Sequence, residues 1–349
     1  MPSDAWQNRT IHLATLLRTC VYAGTKDKPD AYLTVIAQAT RKAMRRPLRI
    51  ALIILLFPPT LAAVGGWLVS PSFLHPIRRA LTPDLIRDAD ATFTQIQVHR
   101  EEFDVHASDG VLLRGWKVRA ANPGSNWVLL FHGVADNRFG VLEHARILLL
   151  AGYNVTMMDA RAHGASDGPM ATYGWLERND TRAIVHALEA SEHPRHLFVL
   201  GESMGAGIAL QSAAVEPRIE AVVAEASFAN LREAAYDYAG LRRYPWLGKT
   251  WLAPGTWTML YRGESLAGFP AAEVSPEKAV AARAVPVFLI CDAEDVALPC
   301  RHTKRIYDAA IGPKQMWIVP RAFHTAALGY EPAEFRHRVL DFFARYGGT

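Results

Sequence analysis

Apolar and polar positions alternate along most of this chain with a regular change of period. From residue 50 to residue 77 there is no Asp, Glu, Lys or Arg, and residues 50–69 are almost wholly apolar. Beyond that run, residues 93–106 and 111–119 read as two strands joined by Ser108-Asp109-Gly110, a hairpin signal. Short apolar runs then predict strands at 127–131, 154–159, 197–200, 221–225, 285–291 and 315–319. Helical periodicity separates them at 138–151, 176–191, 204–215, 301–310 and 332–346. Short buried strands alternating with helices imply parallel strands with crossover helices, an α/β architecture preceded by an antiparallel hairpin. Between residues 228 and 285 no strand is evident, and the chain shows no internal repeat or low-complexity tract.

About 20 apolar residues suffice to cross a bilayer as a helix, whereas a cleaved signal peptide carries only about 7–15. Residues 48–71 are therefore expected to form a transmembrane anchor, kinked at Pro58-Pro59, with cleavage after Ala62-Ala63 as the lesser alternative. Arg41, Lys42, Arg45, Arg46 and Arg49 precede the run and Arg78 and Arg79 follow it. The larger basic cluster stays cytoplasmic, so the later residues are expected on the outer, periplasmic or extracytoplasmic, side. Residues 1–47 form the cytoplasmic segment, with weak helical periodicity at 11–23 and 31–44. Met44, followed by Arg45-Arg46-Pro47, is an alternative start.

Charge changes one part of this picture. The net charge of +4 divides unevenly: residues 1–49 hold nine Lys or Arg and three Asp, a net +6, leaving −2 for the remaining 300 residues. The body carries no electrostatic footprint for nucleic acid. The three cysteines, Cys20, Cys291 and Cys300, form no C-x-x-C pair. Cys291 and Cys300 are close enough in sequence for a disulfide in an oxidising compartment, but two unpaired thiols are the expectation.

Gly201-Glu202-Ser203-Met204-Gly205 matches G-x-S-x-G between an apolar strand and a helical run. Such a turn strains the serine and exposes its hydroxyl, while glycines on both sides let strand and helix approach. A serine hydroxyl needs a general base that is itself oriented by an acid. With this motif the acid and the histidine follow the serine in the chain. Three histidines do so: His302 starts a helix, His337 lies within one, and only His324 occupies a loop after a strand. Asp292, Glu294 and Asp295 follow the preceding strand, and spacing alone does not separate Asp295 from Asp292. No H-E-x-x-H, P-loop or G-x-G-x-x-G follows a strand, so neither metal nor organic cofactor is implied.

His132-Gly133, Asp159-Ala160-Arg161-Ala162-His163-Gly164-Ala165-Ser166, Gly201–Gly205, Asp295 with Pro299, and His324 occur in this order. Together they resemble the α/β-hydrolase superfamily, especially membrane-anchored bacterial members similar to the Bem46 and serine aminopeptidase-like groups. The resemblance covers roughly residues 90–346. It implies a mostly parallel eight-stranded sheet over residues 88–349, with a helical cap at about 231–284. It selects Asp295 as the acid, just ahead of a short spacer and Pro299. It places the oxyanion hole at the amides of Met204 and Val134, and it gives His163 a structural role. Ala162 stands where relatives usually have Gly, and Cys291-Asp292 replaces a common His-Gly.

Seven cap aromatics, Tyr236, Tyr238, Tyr244, Trp246, Trp251, Trp257 and Tyr261, are collectively expected to favour an apolar substrate group. Arg242 and Arg243 would form a solvated basic face. The expected activity is hydrolysis of a carboxylic ester or related acyl bond of a small molecule. A peptidase on the same triad is the alternative, with Glu225 and Glu233 as candidates to grip an amino terminus. A catalytically silent, membrane-tethered binding protein is the rival from another class. Carbon–halogen cleavage is disfavoured, because it calls for an Asp where Ser203 stands.

Overall fold

The computed structural model describes residues 29–239 and 244–347. Cys20, the periodic stretch 11–23 and Arg242-Arg243 lie outside the described residues. The chain divides into two compact units between Pro58 and Pro59. In the first, the described part is the opening portion of a helix, α1 (Pro29–Leu74). The remainder of this section concerns the second unit.

After α1 the order is α2 (Pro83–Gln95), β1 (Arg100–His106), β2 (Leu112–Val118), β3 (Asn126–Phe131), a 3-10 turn (Arg138–Val141), α3 (Leu142–Leu150), β4 (Asn154–Met158), α4 (Glu177–Glu192), β5 (His196–Glu202), α5 (Met204–Val215) and β6 (Ile219–Glu225). Four helices follow where the sequence showed no strand: α6 (Leu231–Ala239), α7 (Pro245–Gly248), α8 (Ala253–Ala267) and α9 (Pro276–Ala282). The chain then completes the sheet with β7 (Val287–Asp292), α10 (Arg301–Ala309), β8 (Lys314–Val319), α11 (Ala327–Tyr330) and α12 (Pro332–Gly347).

The eight strands lie in the order β1-β2-β4-β3-β5-β6-β7-β8. β1 and β2 pair antiparallel, β2 also runs antiparallel to β4, and every other pair is parallel. The central strands bury both faces, which is why β3, β5 and β6 read as unbroken apolar runs. One face packs on α4, α5, α9 and α10 through Ile184, Ile208, Val280 and Ile306. The other packs on α2, α3 and α12 through Phe93, Leu148, Phe342 and Phe343.

The strand expected over 93–106 begins only at Arg100, because Phe93 is a buried residue in the last turn of α2. That helix has a sequence signature, with the Thr82 hydroxyl capping the amide of Leu85 and Pro83 at the first turn. Residues 48–71 carry the expected anchor; among the described residues no helix is long and apolar enough to cross a membrane. Within the second unit, the stretch of α1 from Pro59 uses one side to pack on α8, where Gly66 approaches Gly255. Leu61, Val64 and Leu68 remain exposed on that stretch.

The two thiols expected to be unpaired form a disulfide, Cys291 in β7 with Cys300 ahead of α10, at a Cα separation of 5.5 Å. That spacing lies within the normal range for the bond. The bridge ties together the two ends of the loop that carries Asp295.

Candidate active site

β5 runs into α5 through Ser203, whose backbone is at φ 52°, ψ −115°. The turn survives because two glycines remove what would collide. A Cβ on Gly201 would lie 2.3 Å from the carbonyl oxygen of Gly205, and one on Gly205 would lie 2.3 Å from that of Phe131. α5 therefore starts directly against the end of β3, and Ser203 projects above the C-terminal edge of the sheet.

The two loops after β7 and β8 bring the other expected residues to the same edge. His324 Nε2 is 2.8 Å from Ser203 Oγ, and His324 Nδ1 is 2.6 Å from Asp295 Oδ2. With Nδ1–H donating to the carboxylate, Nε2 is left to accept the serine proton. Asp295 Oδ1 accepts from the amides of Ala297 and Leu298 at 2.8 and 2.9 Å. Burial alone would raise the pKa of Asp295, but the hydrogen bond and charge of His324 and the two amides outweigh it and lower the value. The carboxylate thus stays ionised where an imidazolium would form. Asp295 rather than Asp292 reaches His324, and Glu294 is exposed.

Val134 and Met204 flank Ser203 in the lining of one cavity. The loop bearing Val134 is held by His132, whose Nε2 accepts from the amide of Ala160 at 3.1 Å, leaving Nδ1–H to donate to the carbonyl of Gly133 at 2.7 Å. His163 sits beneath, fully buried, its Nδ1 bonded to the Arg161 carbonyl. Burial and the neighbouring His132 push its pKa down to about 4, which keeps the ring neutral. His302 is buried against Asp237 at 2.9 Å and His337 is exposed.

The cavity measures about 390 Å³, and among the described residues Ser72, Tyr173, Ser203 and Tyr238 bring hydroxyl groups to its lining. Its walls are Phe228, Leu231, Leu298, Met259, Val69 and Phe73 among others. Of the seven cap aromatics only Tyr238 lines it, while Tyr244, Trp246, Trp251, Trp257 and Tyr261 are exposed. Neither candidate amine-gripping carboxylate is present in the lining. Glu225 is buried and accepts from the Ala327 amide at 2.9 Å, and Glu233 pairs with Arg305.

Sequence reasoning missed an acidic layer below the site. Three parallel strands that are neighbours in the sheet end in a buried acid: Glu202 on β5, Glu225 on β6 and Asp292 on β7. The signal was present, since each apolar strand closes on a carboxylate, and Glu202 and Glu225 are direct register partners. Each acid holds a functional loop. Asp292 Oδ2 accepts from the Thr325 amide at 2.8 Å, Glu225 holds Ala327, and Glu202 bonds the amide of Gly133. Burial raises all three, Asp292 to about 6 and Glu202 to about 8, and nearby carboxylates add to the shift: Asp292 and Glu202 for Glu225, Asp136 and Asp292 for Glu202, and Asp295 for Asp292.

A carboxyl that titrates near 4.5 when unfolded and at about 8 when folded costs the folded state stability as pH rises through that window, because the unfolded chain releases its proton first. Glu202→Gln, which cannot ionise, is expected to flatten the fall in Tm between pH 5 and 8 relative to wild type. Parallel Tm–pH curves for the two proteins would contradict the assignment.

A family model described as serine aminopeptidase, S33, matches residues 123–258. The chain is 29% identical to the uncharacterized protein YqkD of Bacillus subtilis over 252 residues, covering 70% of this chain and 80% of that protein. It is 26% identical to YfhR of Escherichia coli K12 over 254 residues, 69% and 80% of the two chains. Among solved structures, the Pyrococcus furiosus esterase Pf2001 superposes with a TM-score of 0.62 at 23% identity, covering 79% of this chain and 100% of the other. The Pyrococcus horikoshii acylaminoacyl peptidase gives 0.56 at 15% identity over 73% and 43%. With the sheet order and the strained serine turn already described, these likenesses show that the chain has the α/β-hydrolase fold.

Proposed function

We propose that the protein is a serine hydrolase that cleaves carboxylic esters, or related acyl bonds, of small molecules with an apolar acyl group. The observation that carries this reading is the unbroken hydrogen-bonded chain from Asp295 through His324 to Ser203, ending at an apolar cavity. Ser203 Oγ attacks the acyl carbon as His324 Nε2 takes its proton. The negative charge that develops on the acyl oxygen is met by the amides of Met204 and Val134, donors that need no reorganisation during the reaction. His324 then protonates the leaving alcohol, and an acyl-Ser203 ester remains. Water, deprotonated by the same imidazole, releases the acid and restores the serine.

The choice of acyl ester over aminopeptide rests on charge. A free amino terminus needs a carboxylate within reach, and among the described residues the lining supplies none. Glu225 and Glu233 are committed elsewhere. An apolar pocket of this size suits a hydrocarbon chain.

We also infer that the catalytic domain works on the extracytoplasmic side. The Cys291–Cys300 bridge supports this, because structural disulfides persist in oxidising compartments. Acid-quenched cells treated with a thiol-directed mass tag should show one taggable cysteine, Cys20, before reduction and three after it. Three tags without reduction would contradict the location.

A fluorophosphonate probe tests the chemistry. Wild type should label on Ser203, Ser203→Ala should not label, and His324→Ala should label at least about 10³-fold more slowly. A folded wild-type protein that resists the probe would instead support a binding protein without catalysis.

A further inference from the structure

The wall of the cavity opposite the sheet does not come from the cap alone. Val69, Ser72 and Phe73, from the last turns of α1, line the same cavity as Ser203 and Met204. These residues lie within the second compact unit, which begins at Pro59. They are also held there by contacts too specific for a passive linker.

Two sets of contacts set their position. Along α8, a Cβ on Gly66 would lie 1.8 Å from the carbonyl oxygen of Gly255, and one on Gly255 would lie 2.6 Å from that of Ala62. The backbones touch, so the two helices cannot slide without collision. Thr258 Oγ1 donates to the Ala63 carbonyl at 2.7 Å, and Arg262 donates to the Trp67 carbonyl at 2.6 Å while lying over the Trp67 ring. At the end of α1, the Tyr173 hydroxyl donates to the Phe73 carbonyl at 2.7 Å and the two rings stack at 5.1 Å. The Ala171 amide donates to the Leu74 carbonyl at 2.8 Å. Just beyond, Arg79 pairs with Asp136, two residues from Val134. Phe73 is thus fixed between α8 and Tyr173.

We propose that residues 59–74 of α1 are a specificity element: Phe73 and Val69 set the length and width of the acyl chain that reaches Ser203. The inference rests on the acyl-hydrolase reading above and deepens it. A hydrocarbon chain in this cavity gains free energy for each methylene it buries, up to the point where a wall stops it. Phe73, walled by Tyr173 and α8, is the fixed stop. Val69, half exposed as well as lining the cavity, is at its mouth. Ser72 is the one polar group this helix adds to the lining.

The test uses the full chain and p-nitrophenyl esters from acetyl to palmitoyl. Phe73→Ala should move the optimum toward longer acyl chains, and Val69→Phe should move it toward shorter ones. The kcat/KM ratio between long and short esters should change by at least about tenfold, the scale of one or two methylenes in an apolar pocket. Leu61→Phe, on the exposed side of the helix, should keep both the wild-type chain-length profile and the wild-type rate of fluorophosphonate labelling. A fluorescent fatty acid gives a second readout without chemistry, weakened by Val69→Phe and unaffected by Leu61→Phe. Unchanged chain-length profiles and unchanged fatty-acid binding in both variants would overturn the proposal even if Ser203 labels normally. Failure of the wild type to label, with fatty-acid binding still sensitive to Val69→Phe, would overturn the hydrolase reading and leave the helix as the wall of a binding site.

Discussion

Ser203 occupies a region of backbone space that a residue with a Cβ enters only at a cost of about 1–3 kcal/mol, and the surrounding fold exists to hold it there. Its amide donates to the Glu225 carbonyl at 2.9 Å, the last rung of the β5–β6 pairing, and its carbonyl accepts from Gly207 at 3.1 Å, the first turn of α5. Strand and helix therefore grip the same residue from both sides. Because Gly205 sits directly on the end of β3, the loop after β3 must turn away at His132-Gly133, which carries the Val134 amide toward the serine. The strain, the helix start and the expected oxyanion donors are consequences of one close approach.

Electrostatics divides the acids around this turn into two kinds. Asp295 meets an imidazole and two amides, so it stays ionised and supports positive charge on His324. Glu202, Glu225 and Asp292 lie lower, where burial raises all three: Glu202 and Glu225 favour the protonated form, whereas Asp292, with two backbone amides, is raised only to about 6. Had the lower layer been fully ionised, its field would compete with Asp295 for the imidazolium. With Glu202 and Glu225 raised by burial, the layer pins the loops of Gly133 and Ala327 while carrying less negative charge than three free carboxylates would. The disulfide between Cys291 and Cys300 limits motion of the loop that separates the two kinds.

Much of this was legible in the sequence, for reasons that can be named. The parallel strands are buried on both faces and read as apolar runs, and the helix Met204–Val215 begins where the motif requires it. His324 stood out as the only later histidine in a loop after a strand. What sequence could not separate was Asp295 from Asp292, which are three residues apart, one closing β7 and the other on the loop that follows. The disulfide was equally open, since nine residues of spacing permit either state. In the apolar stretch 50–69, composition does not reveal that Ala62, Ala63 and Gly66 face a second helix. The cap aromatics misled as a group: most are exposed, and besides Tyr238 the cavity takes its rings from Phe73, Tyr173 and Phe228, scattered over more than 150 residues.

The central claim is that Ser203 becomes acylated on the path to product. Rapid mixing of the full chain with a p-nitrophenyl ester, quenched in acid and read by peptide mass spectrometry, tests it most directly. The account expects a burst of about one equivalent of nitrophenol per protein and an acyl adduct on the peptide containing Ser203. Turnover with no adduct, or an adduct that persists in Ser203→Ala, would contradict it.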